Sequence, residues 1–204
     1  MGKRTLKMLI SQLDQCERSP RYDQVVIGGS AGAMQALPII LEQLPETFCL
    51  PVVAVLHRLE SGSGYLCQYL VQRCALPVME IEDKQRVKPG HIYIAPAGYH
   101  VLLEVGGYFS LSIDPKVNYS RPSIDILFES AVDVYADRLV GIILTGANSD
   151  GSRGIRKINE AGGLTIVQRP ETALSDYMPK AALKATNIDK VLDPQGIGFF
   201  LAEL

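Results

Sequence analysis

The sequence predicts an α/β protein, a parallel sheet covered by helices on both faces with a small antiparallel hairpin attached. Three observations carry this. Short, continuously apolar segments, 25–28, 51–56 and 139–144, have the length and β-branched content of strands buried on both faces. Segments of helical periodicity alternate with them, which joins parallel strands by crossover helices. Gly106-Gly107 separates two further strand-like runs, 101–105 and 108–113, and marks the hairpin.

The first strand and its turn read Val25-Val26-Ile27-Gly28-Gly29-Ser30-Ala31-Gly32-Ala33. Gly28, Ser30 and Gly32 fit Gly-x-Ser-x-Gly, the pattern that exposes a nucleophilic serine at a sharp strand-to-helix turn. Small neighbours let the backbone bend there, and the first helical turn aims free N–H groups at the site. A Gly-rich strand–turn–helix also binds phosphate. The spacing is not Gly-x-Gly-x-x-Gly, however, and the Lys-Ser/Thr pair of a P-loop is missing.

The remaining elements follow in order. Residues 34–44 read as a helix stopped by Pro45, with Pro38 implying a late start or a kink. The second strand ends at His57. A loop at Ser61-Gly62-Ser63-Gly64 precedes a helix over 65–74, and 78–81 is a short strand. The turn Val87-Lys88-Pro89-Gly90 leads into a strand over 91–95. After the hairpin, 114–122 is an irregular loop, and Ser123 caps a helix to about Tyr135 with Ile124, Leu127, Phe128, Ala131 and Val134 on its apolar face. The strand 139–144 is followed by Thr145-Gly146-Ala147-Asn148-Ser149-Asp150-Gly151 and a helix over 152–161 that ends at Gly162-Gly163. A strand over 164–168, a helix over 179–185, a strand over 190–192 and a helix over 197–204 complete the chain. Residues 1–22 read as a weakly amphipathic extension and linker, and 23–204 as one domain.

Composition narrows the function. The chain has 204 residues, 47% hydrophobic and 21% charged, which suits one globular domain. A net charge of −2 leaves no nucleic-acid footprint. No apolar run approaches the ~20 residues of a membrane span, and no secretory leader is evident, so a cytoplasmic location without membrane insertion is expected. Cys16, Cys49, Cys67 and Cys74 lack metal-ligand spacing and read as reduced thiols, with Cys67 and Cys74 two turns apart on one helix. No cofactor and no metal are expected.

Ligands of open α/β sheets sit beyond the carboxyl ends of the strands, and that rule sorts the partners of Ser30. His57 ends a strand directly. His100 follows one by a few residues and is the rival, whereas His91 precedes a strand and belongs at the opposite end. Among acids, Asp150 lies in a glycine-bracketed loop after a buried strand. It doubles as a candidate N-cap for helix 152–161, a place where asparagine serves about as well; as the orienting acid, Asp150→Asn should lower the rate strongly with little loss of stability. Asp176 and Asp125 are the competitors. Ser30, His57 and Asp150 together suit acyl transfer, with a serine nucleophile, a histidine base and an orienting acid. Their order is not that of α/β-hydrolases, where the acid precedes the histidine.

These stretches resemble the catalytic domain of the chemotaxis protein-glutamate methylesterases, the CheB family. The resemblance rests on Ile27-Gly-Gly-Ser-Ala-Gly-Ala33, on His57 after its strand, and on Val87-Lys-Pro-Gly-His-Ile-Tyr-Ile-Ala-Pro96. It continues through Arg121-Pro-Ser-Ile-Asp-Ile-Leu-Phe128, Gly141-Ile-Ile-Leu-Thr-Gly-Ala-Asn-Ser-Asp-Gly151 and Met178-Pro179, covering about 23–193. It implies a doubly wound, mostly parallel sheet. It also implies hydrolysis of glutamyl methyl esters on the cytoplasmic helices of chemoreceptors with release of methanol, and deamidation of receptor glutamines. Ser30, His57 and Asp150 fall on the family's triad positions. The sequence departs from the family at Ala31, often Thr, at Ala147, often Met, and at Arg58-Leu59, often Met-Pro. Full-length relatives carry an N-terminal receiver domain. Twenty-two residues cannot form one, so an esterase domain active without phosphorylation is expected. The rival readings are a non-catalytic interaction module of a signalling complex, and a nucleotide-binding domain, which lacks its acidic ribose ligand because His57 ends the second strand.

Overall fold

The computed structural model describes residues 21–57 and 65–204. Most of the expected N-terminal extension, Cys16, Arg58-Leu59 and the Ser61–Gly64 loop lie outside the described residues. Among the described residues the chain alternates strand and helix as its apolar patterning requires. It runs β1 (Gln24–Gly29), α1 (Ala33–Leu41), β2 (Val52–Leu56), α2 (Tyr65–Val71), β3 (Val78–Glu80) and β4 (Ile92–Ile94). The hairpin β5 (His100–Glu104) and β6 (Tyr108–Ser112) comes next. Then follow α3 (Ile124–Tyr135), β7 (Leu139–Ile143), α4 (Ser152–Glu160), β8 (Leu164–Gln168), α5 (Tyr177–Ala185), β9 (Lys190–Leu192) and α6 (Pro194–Ala202).

Seven strands form one sheet in the order β3-β4-β2-β1-β7-β8-β9, and every pairing is parallel. All residues of β1, β2 and β7 are buried, which explains their unbroken apolar runs. Side chains alternate between two cores. Val25, Ile27, Val52, Ala54 and Leu56 face α1, α2 and α6. Val26, Val53 and Val55 face α3, α4, α5 and the hairpin. The order reverses at β1, which has β2 on one side and β7 on the other. The crevice beyond the carboxyl ends of these three strands is where such a sheet takes ligands.

Several boundaries move for identifiable reasons. Helix α1 starts at Ala33, without the late start that Pro38 allowed, and runs through Pro38 to Leu41. Pro38 is itself buried beside Leu37, Ile40 and Leu41, and core packing outweighs the lost backbone bond. Helix α2 stops at Val71, so Cys74 lies in the turn beyond it and not on the helix with Cys67. The hairpin loop has three residues, because Glu104 pairs with Tyr108 and Val105 joins Gly106 and Gly107 in the turn. Helix α6 starts three residues early. Asp193 accepts the Gly196 N–H at 2.7 Å and Pro194 takes the first helical position, where a missing N–H costs nothing. No helix among the described residues is long and apolar enough to cross a membrane.

Helix α4 rides directly on β7 at Gly141. A Cβ built there would lie 2.4 Å from Ile158 Cδ1 and 2.9 Å from Ile155 Cδ1. Gly141→Val should therefore overpack this layer and cost about 1–3 kcal/mol, read as a lower urea midpoint. An unchanged midpoint would show that α4 can lift off the sheet freely.

Candidate active site

Ser30 is the first residue past β1, and His57 is the first past β2. Gly29 pairs with Leu56, and the His57 N–H donates to the Gly29 carbonyl at 3.1 Å, so the two residues leave adjacent parallel strands side by side. The Ser30 N–H donates to Thr145 O at 2.9 Å, which ties the turn to the end of β7 as well. Gly32 closes the turn at φ +87, where a Cβ would lie 2.6 Å from Leu174 Cβ. Thr145 braces it: its hydroxyl lies 2.8 Å from the Ala31 carbonyl and accepts the Ser175 N–H at 2.9 Å. The N–H groups of Ala31 and Ala147, both on exposed residues, meet no acceptor among the described residues. Ser30 Oγ is not hydrogen-bonded to His57 in this structure.

His57 Nε2 lies 2.8 Å from Asp150 Oδ2. Asp150 is fully buried, and its carboxylate also accepts from Ser123 Oγ (2.8 Å), the Ile124 N–H (2.7 Å), the Asp125 N–H (3.2 Å) and Asn118 Nδ2 (2.9 Å). Burial pushes this carboxyl up, but the hydrogen bonds from His57, Asn118 and Ile124 outweigh it and hold it below the ordinary range. An ionised carboxylate only accepts, so the facing Nε2 carries the ring proton. The lone pair is then on Nδ1, with Ser120 Oγ and Asn148 Nδ2 each 3.2 Å away.

Two capping expectations change. Asp150 does not cap its own helix: α4 has Gly151 at its N-cap, with no side-chain bond. Asp150 instead caps α3 across the structure, and Ser123 donates to it rather than capping α3 itself. Asp125, in the first turn of α3, returns the favour by accepting the Gly154 N–H of α4 at 2.8 Å. Asn118 Nδ2 bridges the two carboxylates, 3.0 Å from Asp125 and 2.9 Å from Asp150. The Asp125 carboxyl is pushed up, first by burial and then by the charge of Asp150, against the pull of Gly154, Arg153 and Asn118.

The competitors lie elsewhere. His100 is buried, accepts the Ser123 N–H at 3.1 Å and faces Pro115 O at 3.2 Å, so it braces the start of α3 and does not approach Ser30. His91 sits at the amino end of β4, on Pro89 O. Asp176 precedes α5 and pairs with Lys180. Asn118, Ser120, Ser123 and Asn148 complete the site and were not singled out from the sequence as part of it. Asn148 had a local signal, since an Asn two residues before Asp150 suits an Asx turn, and its Oδ1 accepts the Asp150 N–H at 3.0 Å. Among the described residues no group of three or more His, Cys, Asp or Glu side chains is placed to hold a metal.

The capping role fixes a pH dependence. Because the folded Asp150 carboxyl is depressed, its stabilising contribution is complete above the unfolded value of about 3.9 and is lost as pH falls through the folded value. Asp150→Asn should therefore flatten the acid limb of stability below about pH 4. It should also cost about 1–3 kcal/mol at neutral pH, because an amide presents N–H groups to donors that need an acceptor. Urea midpoints against pH measure both; a variant as stable as the parent would return Asp150 to an ordinary local cap.

Residues 25–201 match the family model described as CheB methylesterase. A Leptospira interrogans protein, provisionally named protein-glutamate methylesterase/protein-glutamine glutaminase, is 47% identical over 176 residues, which span 86% of this chain and 91% of that protein. A Thermotoga maritima protein-glutamate methylesterase/protein-glutamine glutaminase is 35% identical over 183 residues, 88% of this chain and 53% of that longer protein. The crystal structure of the Thermotoga maritima CheB methylesterase catalytic domain superposes with a TM-score of 0.86 at 34% identity, over 89% of this chain and 98% of that one. The chain belongs to the CheB methylesterase family.

Proposed function

We propose that the chain hydrolyses glutamyl methyl esters and deamidates glutamines on the cytoplasmic helices of chemoreceptors, with Ser30 as nucleophile, His57 as base and Asp150 as orienting acid. The reacting groups are those in the names of its relatives, protein glutamyl methyl esters and protein glutamines, and the receptor comes from the resemblance to the chemotaxis family. The observation that carries the chemical roles is the His57–Asp150 pair, which turns the Nδ1 lone pair, faced by Ser120 and Asn148 before substrate binds, away from the acid at the strand end next to Ser30.

The steps follow from that geometry. Nδ1 takes the Ser30 proton as Oγ attacks the ester carbonyl, and the ionised Asp150 steadies the imidazolium through Nε2. The unpaired N–H groups of Ala31 and Ala147 are the candidate donors to the oxyanion, helped by the positive end of α1. A backbone donor survives the departures at Ala31 and Ala147 because it needs no particular side chain. The imidazolium protonates the leaving group, methanol from an ester or ammonia from an amide. Water, activated by the same nitrogen, then frees glutamate and regenerates Ser30. The absence of a Ser30–His57 bond is usual before substrate arrives, because such contacts tighten in the complex.

Methanol release from methylated receptor tests the assignment. Ser30→Ala and His57→Ala should each lower kcat by on the order of 10³-fold or more with the fold intact. His100→Ala should lower stability, since a buried ring that holds Ser123 is lost, but leave turnover per folded molecule near the parent value. The opposite histidine pattern would move the base to His100.

A further inference from the structure

Residues 117–120 form a tight turn beside the site. The Val117 N–H donates to Ser120 O at 3.2 Å, and the Ser120 N–H donates to Val117 O at 2.9 Å. The two central residues, Asn118 at φ 50 and Tyr119 at φ 64, are both left-handed. That geometry suits asparagine and glycine, and an aromatic residue in it is unusual. Tyr119 is also 97% exposed, so the ring is not packed against the described residues. Its two neighbours are pinned to the candidate catalytic pair: Asn118 donates to Asp150, and Ser120 Oγ lies 3.2 Å from His57 Nδ1. The folded chain thus carries a bare aromatic, on an unfavourable backbone, at a residue whose neighbours on both sides touch the site. The turn itself would be better made with asparagine or glycine there.

We propose that Tyr119 is a specificity-determining residue that recognises the polypeptide around the reacting glutamyl side chain. Tyrosine suits this, offering a large, rigid apolar face with a polar tip and little entropy to lose. The fitting ligand is a helical protein segment whose aliphatic side chains cover the ring while the ester or amide one turn away reaches Ser30. This rests on the hydrolase reading above. A small ester carries no surrounding polypeptide to cover the ring, so the proposed role separates the two kinds of substrate.

The test compares the parent chain with Tyr119→Asn, which keeps a residue suited to φ 64 but removes the ring, and Tyr119→Phe, which keeps the ring. Each is assayed on a methylated chemoreceptor cytoplasmic fragment by methanol release, and on p-nitrophenyl acetate. Tyr119→Asn should raise KM for the receptor fragment about tenfold, as an anchoring aromatic does, with kcat within about threefold. It should hydrolyse p-nitrophenyl acetate within about twofold of the parent. Tyr119→Phe should restore most of the receptor KM. An unchanged receptor KM in Tyr119→Asn overturns the proposal. So does a parallel loss on both substrates, which would mean the residue acts through His57 and Asp150. If the parent hydrolyses p-nitrophenyl acetate through Ser30 but releases no methanol from the receptor fragment, the glutamyl-ester reading fails, and this inference with it.

Discussion

One buried carboxylate sets the conditions for the rest of the site. Asp150 has no access to water, so its charge is tolerable only if protein donors replace the lost hydration. Those donors come from three parts of the chain: His57 beyond β2, Asn118 in the loop after the hairpin, and Ser123 with the first amides of α3. The N-terminus of α3 contributes its partial positive charge as well as its N–H groups. Helix position and imidazole orientation are therefore solved by the same interaction. The return contact from Asp125 to Gly154 makes the arrangement mutual: Asp150, just ahead of α4, satisfies amides of α3, and Asp125, in the first turn of α3, satisfies one of α4. Two carboxylates so close would repel, and the amide of Asn118 between them supplies an N–H to each.

The parallel ladder does the remaining positioning. Ser30 and His57 are each one residue beyond paired strand ends, so their spacing is inherited from the backbone registry of β1 and β2 and not from a loop. The Ser30 amide is held to the end of β7, which brings the loop carrying Asp150 to the same edge. This accounts for the order serine, histidine, acid in the proposed triad. The serine is on the central strand at the switch point, the histidine on the neighbour to one side, and the acid after the neighbour to the other.

Much of this was legible in the residues. Unbroken apolar runs identify β1, β2 and β7 because a strand buried on both faces has no polar side to display. The carboxyl-end rule set His91 aside because it depends only on strand direction, and His57 was preferred to His100 because it ends its strand directly. The capping was not legible. Ser123 and Asp150 look like caps of the helices that follow them, and cap rules read only three or four neighbours. In the folded protein Asp150 and Asp125 cap across 25–30 residues of sequence, and Ser123 donates to Asp150. Ser120 carries no local signal, since its closeness to His57 depends on how the 113–123 loop folds back over the sheet. The third residue of the hairpin loop was missed because Gly106-Gly107 suffices for a two-residue turn, and only the registry of Glu104 with Tyr108 shows Val105 joining it.

The hairpin and the loop after it form an excursion between β4 and β7 that contributes no strand to the main sheet. Its core residues rest on one face of the sheet, and its far end supplies Asn118, Tyr119 and Ser120. Reaction chemistry and substrate-facing surface are thus encoded in separate lengths of chain that meet only through side-chain contacts. On the role proposed for Tyr119, substitution at that one position of the tip leaves the contacts of Asn118 with Asp150 and of Ser120 with His57 in place. The architecture lets one hydrolytic centre be redirected among protein targets without being rebuilt.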